Sequence, residues 1–473
     1  MKAARISISF PPVDRSQWLD REPDTVGTWP FGRSVLERVS DGESPRVGDP
    51  VPSAYKRRTR PSWRMIQRVD DPDPAEANRQ ALRDIEDGAT GLALVFAGAP
   101  NAFGRGLPAA PEALEVALAD IPLGKLHLRI DAHPMSRASL DWLAATFANH
   151  KVDPQRVSMS FGLDPAGILA GTGTYSMSLE ALQASLPQSL AHFFAMGLPA
   201  VLLEADGRVA HNAGATESQE LGIMLAAAVA HLRMFEEARQ PLMYAAPHIG
   251  FALSVDQDQF LSIIKVRALR KLWVRAQETC SIPPSRAAVH AETSYRMLSA
   301  FDPDANLLRN AYAALGAIVG GVDSLALLPA GIERGLPTRE ARATALKSQL
   351  LVARESYAAF VADPWPRVTG LEAQVAALCE AAWEEFRKIE AEGGLFASLA
   401  EGRVQERVLK SRADKASRRA AIANGPSLPA GLYQASVPES EREAVVACEP
   451  LLPALIEQYE APSVEAETGA TVG

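Results

Sequence analysis

Short apolar runs alternate with longer amphipathic segments through the middle of this chain, and that alternation limits its fold more than any other feature. The runs are GLALVF at 91–96, KLHLRI at 125–130, VSMSF at 157–161, AVLLEAD at 200–206, AAVHAE at 287–292 and SLALLP at 324–329. Between and around them, segments 138–149, 178–196, 216–238, 256–278 and 305–319 place apolar residues at helical spacing. Strand then helix, with strands read as apolar on both faces, predicts a buried parallel sheet. Six clear strands and two weaker candidates, near 242–254 and 356–361, predict an α/β fold closed as a (β/α)8 TIM barrel. An open doubly wound sheet is the alternative the pattern leaves. Neither a G-x-G-x-x-G nor a P-loop stretch follows any of the runs.

Outside the alternation the chain changes character. Residues 1–60 are rich in Pro, Gly, Arg and Asp and show no period, which predicts an extended N-terminal arm. Its aromatics, Trp18, Trp29 and Phe31, read as anchors against a barrel wall or a partner chain. The barrel is expected over 61–370, a C-terminal helical extension over 371–450, and a disordered tail over 451–473, where the residues are small and acidic. No sheet-forming run remains after residue 400, so no second α/β domain is expected there.

A formal net charge of −9 argues against a nucleic-acid partner. The basic stretches YKRRTR at 55–60 and KSRADKASRR at 410–419 are local and read as solvated faces or a subunit contact, with a phosphate-bearing ligand as the alternative. Cys280, Cys379 and Cys448 are widely spaced and odd in number, which predicts neither a disulfide framework nor a thiolate metal site. No run reaches the ~18 apolar residues of a membrane span, and the N-terminus has no signal-peptide pattern. A cytoplasmic protein is expected.

Several stretches match, in order and spacing, a known set of motifs. They are NAGATESQELGIMLAAAVAHLR at 212–233, FLSIIKVRALRKLW at 260–273, HAETS at 290–294, NLLRNAYAALGAIVGGVDSLALLP at 306–329, GLPT at 335–338, ADPW at 362–365 and KIEAEGG at 388–394. Together they make most of residues 60–435 resemble the methylmalonyl-CoA mutase family. The resemblance implies a long barrel that, in catalytic members, carries acyl-CoA along its axis and is followed by a separate cobalamin-binding domain.

One tripeptide bears directly on the cofactor. Asp131 and His133 have the spacing of the D-x-H-x-x-G loop that supplies the cobalt-ligating histidine in cobalamin-dependent mutases. Here they lie inside the predicted barrel, at the end of a strand, and Ser136 stands where the motif has glycine. They read as a strand-end pair capping the next helix, and this chain by itself is expected to bind no cofactor and no metal.

The positions that carry chemistry in active members have changed. A stretch like S-G-Y-H-M-Q-E-A-G-A holds their carbonyl-polarising histidine. The same ten positions here read DGRVAHNAGA at 206–215, which puts Val209 at the histidine position and His211 two residues further on. Read as a strand continuation, that displacement is ~6.5 Å along one face. His211 then reads as a capping or packing residue at a strand–helix junction. A stretch like Q-N-D-I-L-K-E-F-M-V-R-N-T-Y corresponds to 162–175, which puts Gly162 at its glutamine and Thr172 at its substrate-carboxylate arginine. The glutamine of H-x-Q-T-S becomes Glu292, whose carboxylate would repel a CoA-linked anion unless neutralised. Tyr55 lies near the position of a substrate-contacting tyrosine, without a secure register.

Packing motifs kept while polar positions change together is the pattern of a barrel retained as a shape. The chain therefore resembles the small, non-catalytic subunit of a heterodimeric mutase. The resemblance implies pairing with a large catalytic subunit that carries adenosylcobalamin and rearranges an acyl-CoA. The arm and the helices after 371 are the expected contact. The alternative is a catalytic barrel that takes cobalamin from a separate small subunit, with His211, His290 and Glu292 as its candidate residues. A third reading is an unrelated barrel enzyme with Asp131 and His133 as metal ligands, joined by groups such as His248 and His290 at other strand ends.

Overall fold

A computed structural model describes residues 63–173 and 200–423, apart from 301, 357, 361, 362, 364, 366 and 367, together with residue 191. The expected N-terminal arm, the helix expected at 178–196 apart from residue 191, and everything after 423 lie outside the described residues, as does Tyr55.

Eight parallel strands close in sequence order into a barrel. They are β1 (Arg64–Val69), β2 (Gly91–Leu94), β3 (His127–Ile130), β4 (Ser158–Leu163), β5 (Ala200–Asp206), β6 (Ile249–Val255), β7 (Ala288–Thr293) and β8 (Ser324–Ala326). Helices pack around it: α1 (Pro74–Glu86), α2 (Pro111–Ala117), α3 (Ser136–Asn149), α4 (Pro165–Thr172), α5 (Arg208–Ala213), α6 (Glu217–Glu237), α7 (Gln259–Thr279), α8 (Pro303–Gly320) and α9 (Arg339–Arg354). Caps fix several of the starts. Asp73, Asp164, Asp258 and Asp302 each accept a backbone N–H of the first turn, and Thr216 with Gln219 forms a full capping box on α6.

Two expectations are corrected. The eighth strand is β1, not 356–361, where Ala358–Phe360 forms a 3-10 turn. The strands are buried on both faces, but only the outer face is mainly apolar, while the inner one mixes apolar residues such as Ile66, Ala93 and Ala326 with charged ones. Leu92, Leu128, Met159, Leu203, Phe251, Val289 and Leu325 face the helical shell and belong to the main apolar core. The opposite face carries Arg68, His127, Arg129, Glu204, Asp206, His290 and Glu292, each 6% exposed or less.

The segment expected to be a helical extension begins with α10 (Thr369–Ala391), α11 (Leu395–Ala400) and α12 (Arg403–Ala423). α10 packs along α6 and α7 through Val375, Leu378 and Ala382, all buried. The approach is close at Gly222, where an added Cβ would stand 2.8 Å from Glu385 Cβ and 3.0 Å from the Ala382 carbonyl oxygen.

Candidate functional site

The C-terminal ends of the strands, where barrel enzymes place their chemistry, carry a continuous chain of buried ions. Arg68 donates to Glu292 Oε2 at 2.7 Å, to Asp70 Oδ2 at 3.3 Å and to the Asn101 carbonyl at 2.8 Å. Arg208 Nη1 lies 3.5 Å from Glu292 Oε1. The same guanidinium donates to both oxygens of Asp131 at 3.1 Å and to both oxygens of Asp206, the shortest at 2.7 Å. Arg129 donates to Asp131 Oδ1 at 2.9 Å and holds Glu204 with both Nη atoms. Arg342 reaches in from α9 to Asp70 at 2.6 Å.

The odd-numbered strands supply these long side chains. The register sets Arg68 beside Ala93, Arg129 beside Ser160 and Glu292 beside Ala326, so small residues on the even strands leave room for them. Arg208 is wholly buried, Asp131 and Arg129 are 1% exposed, and Glu292 is 2% exposed. Burial alone would raise the Asp131 carboxyl, but Arg208, Arg129 and Arg68 hold it far below the usual carboxylate range. Burial likewise works against the Arg208 cation, and Asp131, Asp206 and Glu292 overcome it. Glu204 goes the other way, since its burial outweighs the pull of Arg129 and raises its carboxyl. Glu292, expected to repel an anion unless neutralised, is neutralised within the chain. The ions crossing from β1 through β7 and β5 to β3 occupy the barrel axis.

His211 does not sit on a strand. β5 ends at Asp206, and Val209 and His211 belong to α5, where two residues turn ~200° about the helix axis. The imidazole is fully buried between Glu220 Oε2, 3.0 Å from Nδ1, and Ser294 Oγ, 2.9 Å from Nε2. Lys265 donates to the same Glu220 oxygen at 2.8 Å, and Glu220 Oε1 accepts the Ser254 N–H. Serine, histidine and carboxylate thus stand in nucleophile–base–orienter order. Ser294 and Glu220 are as fully buried as the histidine between them, and the arrangement ties α5, α6 and α7 to the end of β7. Burial, with Arg296 and Lys265 nearby, drives His211 well below its ordinary value, so the ring is neutral.

Asp131 and His133 do not cap α3, whose first turn has no side-chain cap. His133 is wholly buried and stacks on Phe96 with ring centroids 4.5 Å apart. Burial, against the opposing charge of Asp131, pushes it down to about 3. The oxygens of Asp131 are taken by Arg129 and Arg208, so they cannot orient the ring, and these residues do not fit a cobalt ligand and its carboxylate. His248 and His290 line the opposite, N-terminal mouth, away from them. Among the described residues no group of three or more His, Cys, Asp and Glu is placed to hold a metal ion.

Gly162 carries a backbone reason for its identity. An added Cβ would lie 2.5 Å from the Ile130 carbonyl oxygen and 2.7 Å from Ala132 N, so no glutamine fits there without moving β3 against β4. Thr172 ends α4, and its hydroxyl donates to the Ile168 carbonyl at 2.8 Å. Val209 is buried at 6% exposure. Sequence reasoning did not single out Arg68, Arg129, Glu204, Asp206 or Arg208. The available signal was charge inside otherwise apolar strands, as in KLHLRI and AVLLEAD.

A family model described as methylmalonyl-CoA mutase matches residues 109–443. The methylmalonyl-CoA mutase small subunit of Streptomyces virginiae is 34% identical over 376 residues, which cover 79% of this chain and 58% of that one. A probable methylmalonyl-CoA mutase small subunit of Mycobacterium tuberculosis (strain ATCC 25618 / H37Rv) is 32% identical over 412 residues, 85% of this chain and 62% of that one. The methylmalonyl-CoA mutase small subunit of Propionibacterium freudenreichii subsp. shermanii is 29% identical over 360 residues, 76% of this chain and 54% of that one. The chain thus spans 54–62% of the length of these curated relatives. A closed eightfold barrel, the collinear motifs and a family match over most of the chain agree: this chain belongs to the methylmalonyl-CoA mutase family.

Proposed function

We propose that this chain is the small-subunit component of an adenosylcobalamin-dependent acyl-CoA mutase, a structural partner whose own barrel performs no chemistry. The observation that carries the reading is the ion chain Arg68–Glu292–Arg208–Asp131–Arg129–Glu204 across the barrel axis. A thioester arm threaded along that axis would have to displace paired buried charges, and each charge left alone costs several kcal/mol. The residues at 162, 172, 209 and 292 support the same reading, because Gly162, Thr172, Val209 and Glu292 stand where the resemblance places the glutamine, arginine, histidine and second glutamine of catalytic members. The cofactor would then be held by a large catalytic subunit in a cytoplasmic heterodimer.

The arm over 1–60 remains the proposed partner contact. The helical segment after 371 contributes its outer face only, because the buried side of α10 is already spent on α6 and α7. Affinity capture of the tagged chain from its own cells, with mass spectrometry of what accompanies it, tests the proposal. A large mutase subunit bearing its own D-x-H-x-x-G domain is the expected companion. A small cobalamin-binding protein of about 130–150 residues, the size of one domain, together with saturable acyl-CoA binding by this chain, would overturn the reading and make this barrel the catalytic one.

A further inference from the structure

α8 turns an apolar face to solvent. Its inner side is already used. Asn310 donates to the Leu328 carbonyl at 2.8 Å, and Gly316 and Gly320 let the helix meet α7, where an added Cβ would stand 3.0 Å from Ser262 Cβ and 2.9 Å from Val266 Cβ. On the other side Leu307, Leu308, Ala311 and Tyr312 are exposed, and Leu315 and Val319 are half-buried. Leu308 is 66% exposed and Tyr312 55%. These positions fall at helical spacing and none is charged, so an apolar stripe runs from the second turn of α8 to its last. A surface helix ordinarily points polar and charged residues outward, and a continuous apolar face marks a place that something covers.

The described chain begins at the foot of this stripe. The Arg64 N–H donates to the carbonyl of Asp323, three residues past the end of α8, at 2.9 Å, and the buried Trp63 donates its indole N–H to Gln349 on α9 at 3.2 Å. Residue 62 therefore joins the barrel beside the C-terminal end of α8. The other end of the chain leaves from α12, which is held beside α5 by Lys415 on the Ala215 carbonyl at 3.0 Å.

We propose that the stripe on α8 is the docking site of this chain's own stretch WPFGRSVLERV, residues 29–39, with Trp29 and Phe31 seated on Leu308, Ala311, Tyr312 and Leu315. Two apolar surfaces, each costly to leave in water, are covered together. Trp29 lies 34 residues before Trp63. A tether of that length spans about 30 Å root-mean-square, and the 18 residues of α8 are about 27 Å long. A tether whose reach matches the span holds its end at an effective concentration in the millimolar range, so a contact too weak to join two separate chains forms within one. Of the arm, residues 1–28, Trp18 included, are left for the partner contact proposed above, and the docking does not rest on that contact.

The full chain with a photo-cross-linker in place of one stripe residue, Tyr312→p-benzoylphenylalanine, tests the docking. Irradiation followed by peptide mass spectrometry should join position 312 to the 29–39 stretch. In a mixture of ¹⁵N-labelled and unlabelled chains, every cross-linked pair should be wholly light or wholly heavy. Mixed pairs would put a second copy on the stripe, and cross-links beyond residue 423 would put the other end of the chain there. Either result, or no cross-link to residues 29–39, would overturn the proposal. Leu308→Glu combined with Tyr312→Glu gives a second readout in the full chain. Trypsin cleavage after Arg33 and Arg38 should quicken about tenfold, with circular dichroism unchanged, because both substituted side chains are exposed. Cleavage at the unaltered rate would refute the docking. None of these outcomes depends on whether the chain pairs with a catalytic subunit.

Discussion

Arg208→Met removes the centre of the ion chain and leaves its neighbours in place. Three carboxylates lie within 3.5 Å of that guanidinium, Asp131 and Asp206 through two hydrogen bonds or more each and Glu292 through charge. Removing one partner from a buried pair costs about 3–5 kcal/mol because the survivor stays buried and charged. Arg129 still faces Asp131 and Arg68 still faces Glu292, so Asp206 is the group most exposed to the loss. About 4 kcal/mol follows, a large share of a typical folding free energy of ~5–15 kcal/mol. Urea denaturation followed by tryptophan fluorescence should show the midpoint falling by about 1 M or more, for a slope near 3 kcal/mol/M. Asp206→Asn added to Arg208→Met should recover about 1–2 kcal/mol, since it neutralises the stranded charge. Arg79→Met, which breaks an ion pair to Glu76 with both side chains at least 50% exposed, serves as the contrast and should be nearly silent. Acid adds a second reading. Asp131 has a folded value below its ordinary 3.8, so its contribution is complete above that value and is lost as pH falls through the folded one. Without Arg208 the folded value rises, and the acid-unfolding midpoint should move up. If Arg208→Met costs less than about 1 kcal/mol at unchanged slope, the axis is not filled by mutually dependent charges and the argument for a closed barrel fails.

Three other expectations are simpler. His211→Ala should cost about 2–3 kcal/mol, because Ser294 loses its partner and a buried ring leaves a void, while the Lys265–Glu220 pair persists; an unchanged urea midpoint would refute the bracing role. Gly162→Gln introduces the residue expected there from the resemblance to catalytic members, yet it should destabilise by about 1–3 kcal/mol through its clash with Ile130 and Ala132, and a neutral result would show that β3 and β4 can part. Burial pushes Lys415 on α12 down to about 8 from its ordinary 10.5, so the unfolded chain binds the extra proton between those values and docking of α12 should tighten as pH rises across them. Native-state proteolysis within α12 should slow over that range, relative to a protease control; the same profile in Lys415→Met would remove Lys415 as the cause.

The parallel alternation was legible because it depends on local period. β2, β3, β4, β5, β7 and β8 overlap the predicted runs, and α3, α6, α7 and α8 begin and end within a few residues of the predicted spans. β1 escaped because RMIQRV carries two arginines and a glutamine, a composition that suggests a surface. In the barrel Arg68 is instead buried against Glu292, more than two hundred residues away in the chain. The segment 356–361 misled for the opposite reason, since Ala358 and Ala359 belong to a 3-10 turn packed on the core.

By itself the sequence pointed to an eightfold parallel barrel and to its family, and it raised the expectation that polar positions of catalytic members have changed. Those properties rest on apolar period, capping residues and motif order, all of which are written within short windows. Tertiary structure alone decided that the axis is crossed by paired charges, that His211 is buried between Glu220 and Ser294, and that Gly162 is required by a backbone contact. Charge pairing and close packing depend on distances between strand ends brought together only when the sheet closes. A buried arginine and an exposed one are spelled alike, and closure of the barrel is what separates them.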